Sequence, residues 1–231
     1  VVLLRTTFFG ADVNVNEENV TVASGQPSAV VTGQVDNDPE GLVDLVLAVP
    51  SGGATPGSVI VLLNAGSDEQ GQWQFEQSQI VTVGVDPTDV AVADLDDDGW
   101  LDVAVSIGGQ NQVQVLLNDG AGLLEQPGPE DAFAVGFEPR AIVADDLNGD
   151  GRPDVAAACF ASDSVVMLLN AALPVHGIAV FDPPLEVTVG DGPRELVAAP
   201  MEGLGDALPE LITSNLHDDT ITILQNPGAA S

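Results

Sequence analysis

One unit of strands and loops occurs four times along the 231-residue chain, and this repeat limits the fold more than any other feature of the sequence. In each copy a β-rich run precedes a proline, and three apolar runs of strand length follow it, the first two separated by a loop. The prolines are 60, 52 and 54 residues apart, and they are Pro27, Pro87, Pro139 and Pro193. The second run of each unit opens at an acid, and these acids are Asp44, Asp102, Asp154 and Glu210. Each unit is therefore predicted to be a four-stranded antiparallel sheet.

A four-stranded sheet of this size cannot bury both of its faces alone, so it has to stack against copies of itself. Radial stacking of such sheets gives a β-propeller. Glycine (25 residues) and proline (16 residues) are plentiful, as expected for short strands joined by turns. We therefore predict an all-β chain that folds as a small four-bladed β-propeller.

The two ends of the repeat region predict how the ring would close. The last repeat stops after its third strand, at Asn226, and the run Val20-Thr-Val22 can supply the missing fourth strand. That pairing would join the first and last blades and remove an exposed sheet edge. The predicted ring spans residues 20–226, with blades at about 27–86, 87–138, 139–192 and 193–226 plus 20–26. Residues 227–231 are predicted to be a tail.

Two of the loops that join first and second strands share one arrangement of oxygen-bearing side chains. Residues 94–102 and 146–154 carry such side chains at positions 1, 3, 5 and 9, with glycine at position 6. Ca²⁺ takes about six to eight oxygen ligands, and alternate side chains of a tight loop can surround it. Carboxylates this close would otherwise repel one another. Each loop is therefore predicted to bind calcium, through Asp94, Asp96, Asp98 and Asp102 and through Asp146, Asn148, Asp150 and Asp154.

The corresponding loops of repeats 1 and 4 are each two residues longer. The first can be aligned in two registers, one that begins at Gln34 and one that restores the calcium spacing. The second register would use Asp36, Asp38, Glu40 and Asp44 as a third calcium site, with Gly41 at position 6. In repeat 4 a leucine, Leu204, stands at a ligand position, so we expect no metal there.

The chain resembles the FG-GAP and VCBS repeats of integrin-type β-propellers and of many bacterial surface proteins. The matching features are the Asp-x-Asp/Asn-x-Asp-Gly-x-x-Asp loops, the strand that opens at the final Asp, and the later Val-x-Val-Leu-Leu-Asn strand. The resemblance implies that the backbone carbonyls of Trp100 and Arg152 complete the two calcium sites. Propellers of this family commonly have seven blades, so four repeats are either a complete small propeller or part of a larger one.

Charge and composition exclude several functional classes. The formal net charge is −32, and the only basic side chains besides two histidines are four arginines. Nucleic acid is excluded as a partner because phosphate binding needs a basic face, and membrane insertion is not expected. Such acidity is typical of an extracellular surface, although a high-salt habitat would also explain it. No catalytic motif accompanies His176 or His217, so the chain is predicted not to be an enzyme.

Residues 1–19 form an N-terminal extension that contains one apolar strand, Val1-Val-Leu-Leu4, surplus to the ring. It is a candidate for pairing between subunits, which in a head-to-tail arrangement generates a filament. The leading hypothesis is a calcium-stabilised structural or adhesive module at the cell surface, including a filament subunit. The alternatives are a propeller that recognises a glycan or protein and a fragment of a larger receptor or enzyme. Asn19 lies in a glycosylation sequon.

Overall fold

The computed structural model describes residues 25–69, 71–171, 179–201 and 208–226. Fifteen strands lie in these ranges, and a short 3₁₀ helix, Pro129–Asp131, precedes the eighth. The strands are β1 (Ala29–Gly33), β2 (Asp44–Val49), β3 (Pro56–Ser67), β4 (Trp73–Val85), β5 (Pro87–Ala93), β6 (Asp102–Ile107), β7 (Gln112–Leu116), β8 (Ala132–Ala134), β9 (Pro139–Asp145), β10 (Asp154–Cys159), β11 (Ser164–Leu168), β12 (Leu185–Thr188), β13 (Pro193–Ala199), β14 (Glu210–Asn215) and β15 (Thr220–Leu224). The predicted all-β class is confirmed.

The strands form four antiparallel sheets, and each sheet follows the chain order of its strands. Sheet 1 contains β1–β4, sheet 2 contains β5–β8, sheet 3 contains β9–β12 and sheet 4 contains β13–β15. The second strands begin at Asp44, Asp102, Asp154 and Glu210, the four acids that open the second runs of the repeats. The described part of sheet 4 therefore lacks the fourth strand that the other three sheets have.

The sheets stack through their first strands, because β1 packs beside β5, β5 beside β9, and β9 beside β13. No comparable packing joins β13 to β1 within the described residues, so the sheets do not form a closed ring there. The strand Val20-Thr-Val22, which was predicted to close the ring, lies outside the described residues, as do the N-terminal extension and the C-terminal tail. The closed four-bladed propeller therefore stays a prediction.

The second strands of sheets 2 and 3, β6 and β10, are buried on both faces, which explains their nearly continuous apolar sequences. Successive side chains of a strand point to opposite faces. In β6, Val103, Val105 and Ile107 belong to a core shared with sheet 1, whereas Ala104 belongs to a core shared with sheet 3. The next core lies between sheets 3 and 4 and contains Ala156 and Leu211. Small residues such as alanine let neighbouring sheets approach closely at these positions.

Within the described residues, no neighbouring sheet packs on one apolar face of sheet 4. Val197, Ile221 and Ile223 are 53%, 67% and 42% exposed, and they lie on the face directed away from sheet 3. The equivalent face of sheet 3 is buried against sheet 4.

No helix in the described part of the chain is long and apolar enough to cross a membrane.

Candidate calcium loops

The two predicted calcium loops join the first and second strands of sheets 2 and 3, and the first aspartate of each loop shapes its turn. The Asp94 carboxylate accepts hydrogen bonds from the backbone N–H groups of Asp98 (3.1 Å) and Gly99 (2.9 Å). Asp146 accepts equivalent bonds from Asp150 (3.1 Å) and Gly151 (2.9 Å). Gly99 and Gly151 have φ angles of 94° and 87°, a region that favours glycine. Both loops therefore curl around the side chains predicted to bind the ion.

The last aspartate of each loop is fully buried and links three parts of its sheet. The two carboxylate oxygens of Asp102 accept hydrogen bonds from the backbone N–H groups of Leu95 (2.8 Å) and Asn118 (2.9 Å). Asp154 makes the same pair of contacts with Leu147 (3.0 Å) and Asn170 (2.7 Å). Each of these carboxylates thus ties its loop to the end of the third strand.

In the first loop three carboxylates converge on one point. One oxygen each from Asp94, Asp96 and Asp102 lie within 4.8 Å of one another, and Asp96 and Asp102 are buried. Hard oxygen donors at this separation, in a loop with further backbone carbonyls, suit a calcium ion. Asp98 is also oriented within the loop, because its carboxylate accepts a hydrogen bond from the Trp100 N–H (2.8 Å).

Electrostatics in both loops favour the arrival of a cation. Burial raises the pKa of Asp102 to about 7, with the nearby charges of Asp96 and Asp98 adding to the effect, although two backbone hydrogen bonds oppose it. Burial likewise raises the pKa of Asp154 to about 6, and the charges of Asp150 and Asp146 add to it. A divalent cation at these positions would offset the cost of burying ionised carboxylates.

The second loop differs from the first in two side chains. Asn148 replaces the acid at position 3 and offers a neutral amide oxygen. In addition, the Arg152 guanidinium forms an ion pair with the Asp150 carboxylate and donates hydrogen bonds to the Asn170 carbonyl (3.3 Å). Part of the negative charge in this loop is therefore already balanced, which would weaken its attraction for a cation relative to the first loop.

In the loop of sheet 1 the hydrogen bonds identify the structural register. Asp44 accepts from the backbone N–H groups of Val35 (2.9 Å) and Asn64 (2.8 Å), as Asp102 does from Leu95 and Asn118. Val35 is therefore equivalent to Leu95, and Gln34 occupies position 1. In this register Glu40 does not correspond to a ligand position of the other loops.

Two carboxylates of the sheet 1 loop nevertheless lie in a setting that a cation would favour. One Asp38 carboxylate oxygen is buried and has no hydrogen-bond partner among the described residues. Burial raises the pKa of Asp36, and the Asp44 charge adds to the effect. The third calcium site stays a prediction, and the loop of repeat 4 lies largely outside the described residues.

The asparagines that follow the third strands of sheets 2, 3 and 4 connect neighbouring sheets, a role that sequence reasoning missed. The Asn118 side chain donates a hydrogen bond to the Val35 carbonyl of sheet 1 (2.7 Å). Asn170 donates to the Leu95 carbonyl of sheet 2 (2.9 Å), and the Asn226 side chain donates to the Leu147 carbonyl of sheet 3. Each acceptor is position 2 of an acidic loop. The recurrence of asparagine at these strand ends was the signal in the sequence.

One protein-family model matches the part of the chain that carries these loops. The model described as FG-GAP-like repeat matches residues 35–105 and 95–157, which together cover more than half of the chain. The chain belongs to the FG-GAP-like repeat family. Each match contains one of the acidic loops at 94–102 and 146–154, so this FG-GAP-like repeat protein carries the repeat across sheets 1 to 3.

Comparison with solved structures also finds similarity. This FG-GAP-like repeat protein is similar to a crystal structure of BBS1N in complex with ARL6DN, soaked with lead, with a TM-score of 0.49 and 16% sequence identity. The match covers 93% of this chain and 57% of the BBS1N chain, so this chain spans little more than half of that protein's length. No curated protein sequence matches this chain.

Proposed function

We propose that this FG-GAP-like repeat protein is a calcium-stabilised β-propeller module of the cell surface, with a structural or adhesive role and no catalytic activity. The convergence of Asp94, Asp96 and Asp102 within 4.8 Å carries the proposal. Calcium at this point would neutralise buried carboxylates that otherwise repel one another. The family membership and the strongly acidic surface support the same function.

The position of the loops supports a structural role for the ion. The carbonyl of Leu95, at position 2 of the first calcium loop, accepts the hydrogen bond from the Asn170 side chain of sheet 3. An ion that holds this loop in shape also holds the joint between sheets 2 and 3. The loop's own side chains and carbonyls would fill most coordination positions of such an ion, which would leave little room for a substrate.

Thermal unfolding with calcium or with EDTA tests the calcium role. At a hundredfold excess over the dissociation constant, an ion that binds only the folded state stabilises it by about 2.7 kcal/mol. For a chain of this size that corresponds to about 5 to 11 °C per occupied site. We expect Asp96→Asn to lose the shift of one site, because Asp96 faces the ion. Asp97→Asn is the matched control, since Asp97 is a neighbouring acid outside the predicted ligand set whose φ of 60° asparagine also adopts.

If EDTA leaves the melting temperature of the unmodified protein unchanged, the calcium role is wrong. Equal shifts in Asp96→Asn and Asp97→Asn would show that the ion binds elsewhere.

The absence of catalysis is supported by the setting of His217, which lies on an exposed turn and pairs with Asp191 (2.8 Å). This pair has the geometry of a surface contact, since both side chains are at least half exposed.

A second candidate role, head-to-tail self-association, is favoured by the uncovered face of sheet 4. Val197, Ile221 and Ile223 lie there, on the kind of face that carries a neighbouring sheet elsewhere in the molecule. We expect light scattering to show concentration-dependent association, and Ile221→Asp to abolish it. Leu123→Asp is the control, because Leu123 is an exposed apolar side chain in a loop (46%). A protein that stays monomeric at all concentrations would rule out this role.

A further inference from the structure

A polar cavity of about 260 Å³ lies at the end of the sheets opposite the calcium loops. All four sheets contribute to it, because the residues that begin their first strands converge there. Its lining consists of Ser28, Asp86, Pro87, Thr88, Arg140, Arg194 and Glu195. The cavity therefore lies where the four repeats meet. Its chemistry depends on the residues that occupy equivalent positions at the start of each repeat's first strand.

The residue after each repeat proline shows how these positions differ. In sheets 1 and 2 it carries a hydroxyl group that donates a hydrogen bond to the proline carbonyl of the next sheet. These bonds run from Ser28 to Pro87 (2.9 Å) and from Thr88 to Pro139 (2.8 Å). In sheets 3 and 4 the same position is Arg140 or Arg194, whose long side chains line the cavity instead. Two repeats thus use the position to join sheets, and two use it to supply a cation.

These two arginines stand out against the charge of the whole protein. The chain has four basic side chains besides histidine against 36 acidic ones. Arg140 is held in place, since its guanidinium pairs with Glu138 (3.1 Å) and lies 5.2 Å from the centre of the Phe160 ring. Arg194 has no hydrogen-bond or ion-pair partner among the described residues, so its donors are available to a ligand. By contrast, Arg152 is already paired with Asp150 at the other end of the sheets.

We propose that this cavity binds a sugar that carries one carboxylate, of the size of a single uronic acid residue. Guanidinium groups bind carboxylates through paired, charge-assisted hydrogen bonds. The carboxylates of Asp86 and Glu195 in the same wall can accept hydrogen bonds from sugar hydroxyl groups. The volume corresponds to about nine water molecules at about 30 Å³ each, which suits one monosaccharide.

The two acids in the wall also set the charge of the ligand. The lining holds two acids, Asp86 and Glu195, and two bases, Arg140 and Arg194, of which Arg140 is already paired with Glu138. A dianion such as a phosphate ester would meet strong repulsion from the acids, whereas a monoanion with several hydroxyl groups uses both kinds of side chain. This inference is independent of the calcium loops, because none of their residues lines the cavity.

Calorimetric titration with galacturonic acid, galactose and glutamate tests the proposal on the whole protein in calcium. We expect galacturonate to bind in the millimolar range, and galactose, which lacks the carboxylate, to bind about tenfold more weakly or less. Glutamate, a carboxylate without the sugar ring, should also bind at least about tenfold more weakly. Equal affinity for galacturonate and galactose, equal affinity for galacturonate and glutamate, or no galacturonate binding in the millimolar range would overturn the proposal.

The variant Arg194→Gln should weaken galacturonate binding about tenfold or more, because it removes a charge-assisted donor pair. Arg194→Lys is the matched comparison, since it keeps the positive charge at the same place but loses the paired donors, and it should retain more of the galacturonate affinity than Arg194→Gln. An unchanged melting temperature shows that each variant is folded. A folded Arg194→Gln variant with the galacturonate affinity of the unmodified protein would also overturn the proposal.

Discussion

Replacing Asn118 with alanine should destabilise the protein much more than the same change at Asn64, because Asn118 is buried and makes a bond between sheets. The two asparagines occupy equivalent positions of the repeat, and both side chains donate to the backbone of their own sheet, at 2.9 Å to the Leu101 carbonyl and 3.0 Å to the Val43 carbonyl. Both also accept a hydrogen bond from a glycine two residues later. Among the described contacts, only Asn118 adds a bond to the neighbouring sheet, at 2.7 Å to the Val35 carbonyl.

The magnitude follows from the contacts that are lost. Val35 is buried, so Asn118→Ala removes a hydrogen bond worth about 1 kcal/mol and leaves a buried carbonyl unpaired at a further cost of about 1 to 3 kcal/mol. We therefore expect Asn118→Ala to lower the free energy of unfolding by roughly 2 to 4 kcal/mol more than Asn64→Ala. That difference corresponds to about 4 to 16 °C in melting temperature.

Urea unfolding of the two variants, followed by circular dichroism in the presence of calcium, measures this difference directly. Asn170→Ala should resemble Asn118→Ala, because Asn170 makes the equivalent bond to the Leu95 carbonyl. If Asn118→Ala and Asn64→Ala lose the same stability, the bond between sheets contributes nothing and the reasoning is refuted.

Two further predictions concern buried titratable groups. Burial raises the pKa of the Cys159 thiol to about 12. A thiol reagent should therefore react with the native protein only as fast as the protein unfolds. Reaction at the rate of a free thiol would contradict the buried position. Burial also raises the pKa of Asp89 above its ordinary 3.8, so ionisation of Asp89 costs stability as the pH rises through the raised value. We expect Asp89→Asn to give a stability curve in EDTA that falls less steeply as the pH rises above the ordinary pKa of the carboxyl group, measured by urea unfolding, and parallel curves would contradict this cause.

The sequence predicts the sheets well because strand starts are marked by residues with a structural role. The acids at Asp102 and Asp154 begin second strands because their carboxylates bind backbone N–H groups of both the loop and the third strand. Such a residue cannot move along the strand without losing these bonds. The pattern of apolar runs then defines the sheet faces, since alternate side chains point to opposite faces.

The remaining features depend on distances between repeats, which a single repeat does not encode. The role of Asn118 was not predicted because its partner, Val35, lies 83 residues away in another sheet. The cavity lined by Arg140 and Arg194 likewise exists only because four strand starts converge. In the loop of sheet 1, two extra residues allowed two registers. The hydrogen bond from the Val35 N–H to the Asp44 carboxylate was needed to distinguish them.

Calorimetric titration of the chelated protein with calcium tests the central claim most directly, because it counts the ions without reference to stability. We predict two ions per chain, in the loops at 94–102 and 146–154, and one ion in the Asp96→Asn variant. A third ion would agree with the predicted site in the loop of sheet 1. A protein that binds no calcium, or one whose stoichiometry is unchanged by Asp96→Asn, would contradict the proposed calcium loops.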